Sequence, residues 1–120
     1  MYDRILVPVD GSAFSEEVLP HALGMVQATG ATLSLLRVVD REEDQSEAAR
    51  YVGALAADLS ADGRAMVARG DLADTVLAEA RRVPGTLIAM TSHGHSGLME
   101  AMMGSVALRI VRTGGDPVIL

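Results

Sequence analysis

The sequence predicts an α/β protein: a single doubly wound parallel five-stranded sheet with the element order βαβαβαβαβ. Short apolar runs alternate with stretches whose apolar residues recur at helical spacing, and glycine or proline turns separate them. Only three residues are aromatic, so the core must be aliphatic, as in helices packed on a Val-, Ile- and Leu-rich parallel sheet. Such alternation requires right-handed crossovers with helices on both faces. With 120 residues and no linker or repeat, we expect one domain over residues 1–120.

The first half of the chain predicts two strands and two helices. These are a strand at 5–9, a helix that stops at Gly30, a strand at 31–39, and a helix from 48 that ends near Asp62–Gly63. Ser12 or Ser15 can cap the first helix, and Pro20 falls early enough in it to kink it. His21 lies beside the apolar stripe of this helix, where we expect a partly buried packing residue.

The second half predicts three strands and two helices. These are a strand at 65–68 closed by Gly70, a helix at 72–80 stopped by Pro84–Gly85, a strand at 86–90, a helix around 106–111 and a last strand at 117–120. Asp71 and Asp74 stand at the start of the third helix, where acidic side chains are favoured. Ligands of such sheets bind outside the carboxyl ends of the strands, where the strand order reverses. The loops to search therefore begin at Asp10, Val39, Gly70 and Thr91.

Charge and composition exclude several functional classes. The net charge is −6 and the basic residues are scattered, so we expect no nucleic-acid partner. The longest apolar run is far shorter than the ~20 residues that cross a bilayer, so we expect no membrane partner and a cytoplasmic protein. There is no cysteine for disulfides or thiolate metal sites. All ten basic residues are arginine, which excludes a P-loop, Schiff-base or kinase lysine.

The glycine-rich stretch after the fourth strand is the most informative segment. Residues 91–97 are small and polar, and Gly104–Ser105 open the predicted fourth helix. A Gly-Ser step at a helix N-terminus offers unpaired N–H donors, a hydroxyl and the positive end of the helix dipole, which suit a phosphate. The same two residues can instead provide a tight turn and an N-cap. Spacing alone leaves both interpretations open.

This stretch resembles the nucleotide-binding pattern of the universal stress proteins, G-x2-G-x9-G-[ST]. Here it is Thr91-x2-Gly94-x9-Gly104-Ser105, with the spacing intact and threonine in place of the first glycine. Residues 5–12, 67–71 and 109–120 are similar to the family's first strand and turn, the end of its third strand, and its closing helix and strand. The resemblance covers nearly the whole chain. It implies an adenine-nucleotide alpha-hydrolase-like fold and a stress-response regulator.

The resemblance further implies an ATP or AMP site at the switch point between the first and fourth strands. The residues implied are Pro8, Val9, Asp10, Val38, Val39, Gly70, Thr91, Gly94, His95, Gly97, Gly104, Ser105, Val106 and Ala107. Those from the first two strands would surround the base and ribose, and those from 104 onward would donate to the outer phosphates. The Thr91 side chain could crowd the ligand or add a hydroxyl contact. Many family members have a basic residue where His95 stands, so Mg²⁺ or Mn²⁺ could be needed to offset phosphate charge.

Other interpretations of the polar residues are weaker. His93 and His95 flank a glycine without a third ligand, so we expect no metal site. Asp10 could be a phospho-acceptor in a receiver-like domain, but receivers need that aspartate after the third strand, where Arg69–Gly70 stand, and a lysine after the last. No catalytic residue is visibly placed against a γ-phosphate, so we expect at most slow ATP hydrolysis. The alternative function is a dimeric interaction module of the same fold that binds no nucleotide.

The last strand predicts a homodimer. Val118, Ile119 and Leu120 are consecutive aliphatic residues, and the family's strand order places them at a sheet edge. Unpaired backbone groups on such an edge invite another strand, and a two-fold axis would satisfy them in a closed assembly.

Overall fold

The computed structural model describes residues 2–90 and 118–119. Five parallel strands form one sheet in the order β3-β2-β1-β4-β5. Their bounds are β1 Arg4–Pro8, β2 Thr32–Val39, β3 Asp62–Val67, β4 Thr86–Ala89 and β5 Val118–Ile119. The order proceeds outward from β1 in both directions, so the chain reverses its winding between β1 and β4. This confirms the predicted doubly wound sheet.

Four described helices connect these strands. They are α1 Ala13–Glu16, α2 Leu19–Thr29, α3 Gln45–Asp58 and α4 Leu72–Arg82, with a 3₁₀ turn at Glu42–Asp44. The predicted helix around 106–111 lies outside the described residues. In the part of the chain that the structure describes, every helix is too short or too polar to cross a bilayer.

The two faces of the sheet carry separate aliphatic cores. On one face Ile5 and Val7 of β1 pack with residues of α2 and α3, and on the other Leu6 packs with residues of α4. All of β1 is buried, as is typical of a central parallel strand covered on both faces. The described cores contain only Ala, Val, Leu, Ile and Met among their fully buried members, as the scarcity of aromatic residues predicts.

The first predicted helix is divided into α1 and α2. Ser12 caps α1, because its hydroxyl oxygen accepts a hydrogen bond from the Ser15 N–H at 3.1 Å. Pro20 has no N–H for the carbonyl of Glu16, so the helix breaks there and restarts with proline in the first turn of α2. The prediction that His21 is partly buried is wrong, because α2 buries Leu19 and Ala22 and leaves His21 exposed.

The prediction that the second long helix ends near Asp62–Gly63 is also wrong. Helix α3 ends at Asp58, and β3 already begins at Asp62. Asp62 lies in register with Ser34 of β2 and accepts a 2.7 Å hydrogen bond from its hydroxyl. A Cβ on Gly63 would lie 2.7 Å from the Val52 carbonyl oxygen of α3. Glycine is therefore needed here for the close approach of α3 to β3.

Candidate functional site

A hydrogen-bonded turn holds the carboxyl end of β1. Oδ1 of Asp10 accepts from the Ser12 N–H at 2.9 Å and from the Ser12 hydroxyl at 2.6 Å. The Asp10 N–H donates to the buried Ser15 hydroxyl at 3.1 Å, and that hydroxyl donates to the Ser12 carbonyl at 2.9 Å. Gly11 has a φ of +90°, which favours glycine. These bonds fix the Asp10 carboxylate at the sheet edge where the strand order reverses.

The neighbouring strand ends reach the same edge. The Val9 N–H donates to the Leu36 carbonyl at 2.8 Å, and the Ala68 N–H donates to the Val39 carbonyl at 2.8 Å. Both bonds continue the ladder beyond the regular strands. Asp10 and the end of β2 therefore border one crevice, on the side of β1 that faces away from β4.

A cavity of about 610 Å³ lies at this edge, beside β1, β2 and α3. Its lining consists of Asp10, Gly11, Arg37, Val39, Asp40, Arg41, Asp44, Glu47, Ala48 and Tyr51. The volume falls within the usual range for small-molecule sites, roughly 300–1,000 Å³. Residues of the β1 turn and of the end of β2 thus share one cavity with the first two turns of α3.

The lining is acidic. Of the described residues, Asp10, Asp40, Asp44 and Glu47 contribute carboxylates, and Arg37 and Arg41 contribute guanidinium groups. Arg41 is already paired with two carboxylates, those of Glu43 at 2.8 Å and Asp44 at 3.0 Å. Arg37 donates from its Nη1 to the Val38 carbonyl at 2.8 Å. The cavity wall therefore favours neutral or cationic parts of a ligand over an anionic tail.

Tyr51 connects α3 to α1 behind the β1 turn. Its hydroxyl donates to Oε2 of Glu16 at 2.6 Å. Burial raises the pKa of Tyr51, and the hydrogen bond to Glu16 together with the charges of Glu16 and Asp10 raises it further, whereas Arg37 lowers it. The phenol therefore stays protonated, and it presents a half-buried ring to the cavity beside Asp10.

The predicted site residues fall into four groups. Asp10 and Val39 line the cavity, and Pro8 and Val9 are buried in the strand end beneath them. Val38 packs into the core under α4, because successive side chains of a strand alternate between faces. Gly70, with a φ of +80°, lies in the exposed turn before α4. All the remaining predicted site residues, from Thr91 to Ala107, lie outside the described residues.

Sequence reasoning missed Arg37 and Tyr51. Arg37 lies on the same face of β2 as the buried Leu33 and Leu35, because every second side chain of a strand shares a face. A charge on this otherwise apolar face was the available signal. Tyr51 lies within the helix predicted from residue 48, and its signal was that it is one of only three aromatic residues in the chain. Among residues 2–90, no three histidine or carboxylate side chains come together as a metal site would require.

The chain is similar to known proteins both in sequence and in fold. The sequence profile of the Universal stress protein family matches residues 1–120. The chain belongs to the universal stress protein family. The universal stress protein YxiE of Bacillus subtilis is 27% identical over 146 residues, which span 100% of this chain and 99% of YxiE.

Solved structures of universal stress proteins share the fold. A family member from Burkholderia pseudomallei superimposes with a TM-score of 0.71 at 25% identity, over 98% of this chain and 94% of that protein. A universal stress protein from Archaeoglobus fulgidus, solved in complex with dAMP, superimposes with a TM-score of 0.66 at 22% identity. That match covers 98% of this chain and 96% of the Archaeoglobus protein.

Proposed function

We propose that this universal stress protein binds an adenine nucleotide, ATP or AMP, at the carboxyl edge between β1 and β4 and acts as a stress-response regulator. The observation that carries the proposal is the cavity beside Asp10, at the carboxyl end of β1, the strand from which the sheet order proceeds in both directions. Open α/β sheets bind their ligands at this point. The cavity is large enough for the nucleoside part of such a ligand.

The charges of the cavity support one orientation of the nucleotide. Four carboxylates face two arginines, and one of these arginines is already paired, so a triphosphate would be repelled there. An uncharged base and ribose would not be repelled, and the Asp10 carboxylate can accept hydrogen bonds from ribose hydroxyls. We therefore assign the nucleoside end to this cavity and the phosphates to the segment Gly94 to Ala107, whose Gly104–Ser105 step matches the family pattern.

The relatives support the class of ligand. The Archaeoglobus fulgidus protein that shares this fold binds dAMP, an adenine nucleotide with one phosphate. The spacing Thr91-x2-Gly94-x9-Gly104-Ser105 keeps the three later positions of the pattern in this chain. Both observations favour an adenine nucleotide over other ligands that a cavity of this size could hold.

Calorimetric titration of the purified protein with ATP, AMP and adenosine tests the proposal. We expect saturable binding of ATP or AMP and weaker binding of adenosine, which lacks the phosphates. Asp10→Asn should weaken AMP binding roughly 10-fold or more, because a hydrogen bond to a charged group contributes about 1.5–3 kcal/mol. The amide oxygen can replace Oδ1 as acceptor for Ser12, so the turn should persist.

Asp58→Asn is the matched control, because Asp58 is an exposed aspartate at the end of α3 outside the cavity lining. It should bind AMP as the wild type does. A wild-type protein that binds neither ATP nor AMP would overturn the proposal in favour of an interaction module without nucleotide. Unchanged AMP affinity in Asp10→Asn would remove the nucleoside end from this cavity.

A further inference from the structure

Three arginines converge on one buried carboxylate at the opposite, amino-terminal edge of the sheet. Glu79 of α4, whose side chain is 4% exposed, accepts from Arg4 at 3.1 Å, Arg64 at 2.9 Å and Arg82 at 2.8 Å. Arg4 and Arg64 come from β1 and β3, and Arg82 from the last turn of α4. We refer to Arg4, Arg64, Glu79 and Arg82 as the amino-edge cluster.

The amino-edge cluster is electropositive in an acidic protein. Its three guanidinium groups face the carboxylate of Glu79. The hydrogen bond and the charge of Glu79 raise the pKa of Arg82 most, and the nearby carboxylate of Asp62 raises it further. Among the described residues, the three arginines and the carboxylates of Glu79 and Asp62 sum to a charge of +1, in a chain whose net charge is −6. The C-terminus of α4 adds about half a negative charge, which still leaves the cluster positive.

The three arginines differ in how many donors remain open. Arg4 is buried and uses all three of its nitrogens, toward the Thr86 hydroxyl, the Glu79 carboxylate and the Glu79 carbonyl. Arg64 uses only Nη1, and Arg82 uses Nε and Nη2. Within the described residues, Nε and Nη2 of Arg64 and Nη1 of Arg82 contact no acceptor. These donors are accessible, because the two side chains are 54% and 56% exposed.

Arg64 and Arg82 contact the same carboxylate, that of Glu79. Both residues also line one cavity of about 30 Å³, together with Arg4, Ser34 and Asp62. The cavity is large enough for a water-sized group. The two half-exposed guanidinium groups are therefore neighbours.

We propose that Arg64 and Arg82 form a binding site for a phosphate dianion at the amino edge of the sheet. The planar donor forks of arginine match the oxygens of phosphate, and two of them can share one dianion. Glu79 accepts from Nη1 of Arg64 and from Nε and Nη2 of Arg82, which leaves the other N–H groups of these two side chains for a ligand. The site does not depend on the proposed nucleotide site, which lies at the carboxyl ends of the same strands.

The phosphate can be inorganic or the end of a phosphate monoester, and a titration followed by ¹H–¹⁵N NMR distinguishes the two. Inorganic phosphate and ribose 5-phosphate are added separately, with sodium chloride at matched ionic strength as the blank. We expect saturable shifts of the Arg64 and Arg82 signals, including the Arg Nε–H groups, with half-saturation on the order of 1 mM. A response to both ligands indicates recognition of the phosphate itself, whereas a response to ribose 5-phosphate alone assigns the site to monoesters.

Arg64→Gln should weaken phosphate binding at least tenfold, and Arg50→Gln, a change of an exposed arginine on α3, should leave it unchanged. Glu79 retains Arg4 and Arg82 in the first variant, so its fold should be intact by circular dichroism. Should it fail to fold, Arg82→Gln provides the same comparison. Shifts that match the chloride blank, shifts confined to the carboxyl edge, or wild-type binding in Arg64→Gln would each overturn the proposal.

Discussion

Replacing Glu79 with glutamine removes the carboxylate that three arginines share. The carboxylate oxygens accept from Arg4, Arg64 and Arg82 at 2.8–3.2 Å. Glutamine keeps one acceptor oxygen and turns an NH₂ group toward guanidinium N–H groups. Arg64 and Arg82 can relax into solvent, since both are more than half exposed. Arg4 cannot, because its side chain is only 7% exposed.

The loss of stability follows mainly from Arg4. Breaking a buried ion pair by removing one partner typically costs 3–5 kcal/mol, because the remaining charge is left without compensation. Arg4 keeps hydrogen bonds to the Thr86 hydroxyl and the Glu79 carbonyl, so the lower end applies. We therefore expect Glu79→Gln to reduce the free energy of unfolding by about 3 kcal/mol. For a chain of this size that corresponds to roughly 10 °C in Tm.

The effect should depend on pH. Burial of Glu79 opposes its ionisation, but hydrogen bonds from Arg82 and Arg4 and the charges of Arg82 and Arg64 outweigh burial and lower its pKa. A lowered carboxyl pKa adds stability above the ordinary glutamate pKa, and this stability is lost as the pH falls through the lowered pKa of the folded protein. The difference between wild type and Glu79→Gln should therefore be full at pH 7 and shrink in acid.

Urea denaturation at pH 7 and at a series of acidic pH values measures this difference. Glu43→Gln is the matched control, because Glu43 also pairs with an arginine, at 2.8 Å, but both side chains are about two-thirds exposed. Exposed pairs contribute about 0–1 kcal/mol, so this variant should be nearly neutral. If Glu79→Gln costs no more than Glu43→Gln, or if its cost is the same at every pH, the argument from the buried charge is wrong.

Three further predictions concern the β1 turn, the glycine-rich stretch and the last strand. Gly11→Ala should lower the free energy of unfolding, measured by urea denaturation, by about 1–2 kcal/mol, because Gly11 has a positive φ. Gly24→Ala is the control: a Cβ there meets open space on α2, so the change should be neutral or stabilising. Equal effects of the two changes would contradict the strain at Gly11. Gly104→Val should abolish ATP binding in calorimetry and lower the Tm only modestly, and wild-type affinity would refute the phosphate assignment. Sedimentation equilibrium at micromolar concentration should give a dimer mass that Ile119→Asp converts to a monomer mass, and a monomeric wild type would refute pairing through β5.

The fold was predictable because its signals are local. The apolar run that becomes β1 and the helical spacing of α4 both appear within a dozen residues. The acidic start of α4 was also predicted, and the structure makes Asp71 its N-cap, since Asp71 accepts from the Asp74 N–H at 2.7 Å. By contrast, the start of β3 depends on the pairing of Asp62 with Ser34, which are 28 residues apart, so turn chemistry alone misassigned it.

The candidate site could be predicted only in outline, because most of it also depends on residues that are far apart in the sequence. Asp10 was predicted because it ends a strand, which a local pattern shows. Arg37 and Tyr51 reach the cavity only after β2 and α3 pack together. The charge of Arg37 on an apolar strand is a local signal, but nothing near either residue in the sequence shows that the two line one cavity. The amino-edge cluster could not be predicted from the sequence at all. Arg4 and Glu79 are 75 residues apart, and only the folded sheet brings them together.

The most direct test of nucleotide binding at the switch point is an ¹H–¹⁵N NMR titration of the wild-type protein with AMP. Binding of the nucleoside end in the cavity predicts saturable shifts of the amides of Asp10, Gly11 and Val39, which border it. It predicts no comparable shifts at Leu33 and Leu87, which lie near the amino ends of β2 and β4. The absence of any saturable shift, or shifts that leave Asp10, Gly11 and Val39 unaffected, would contradict it.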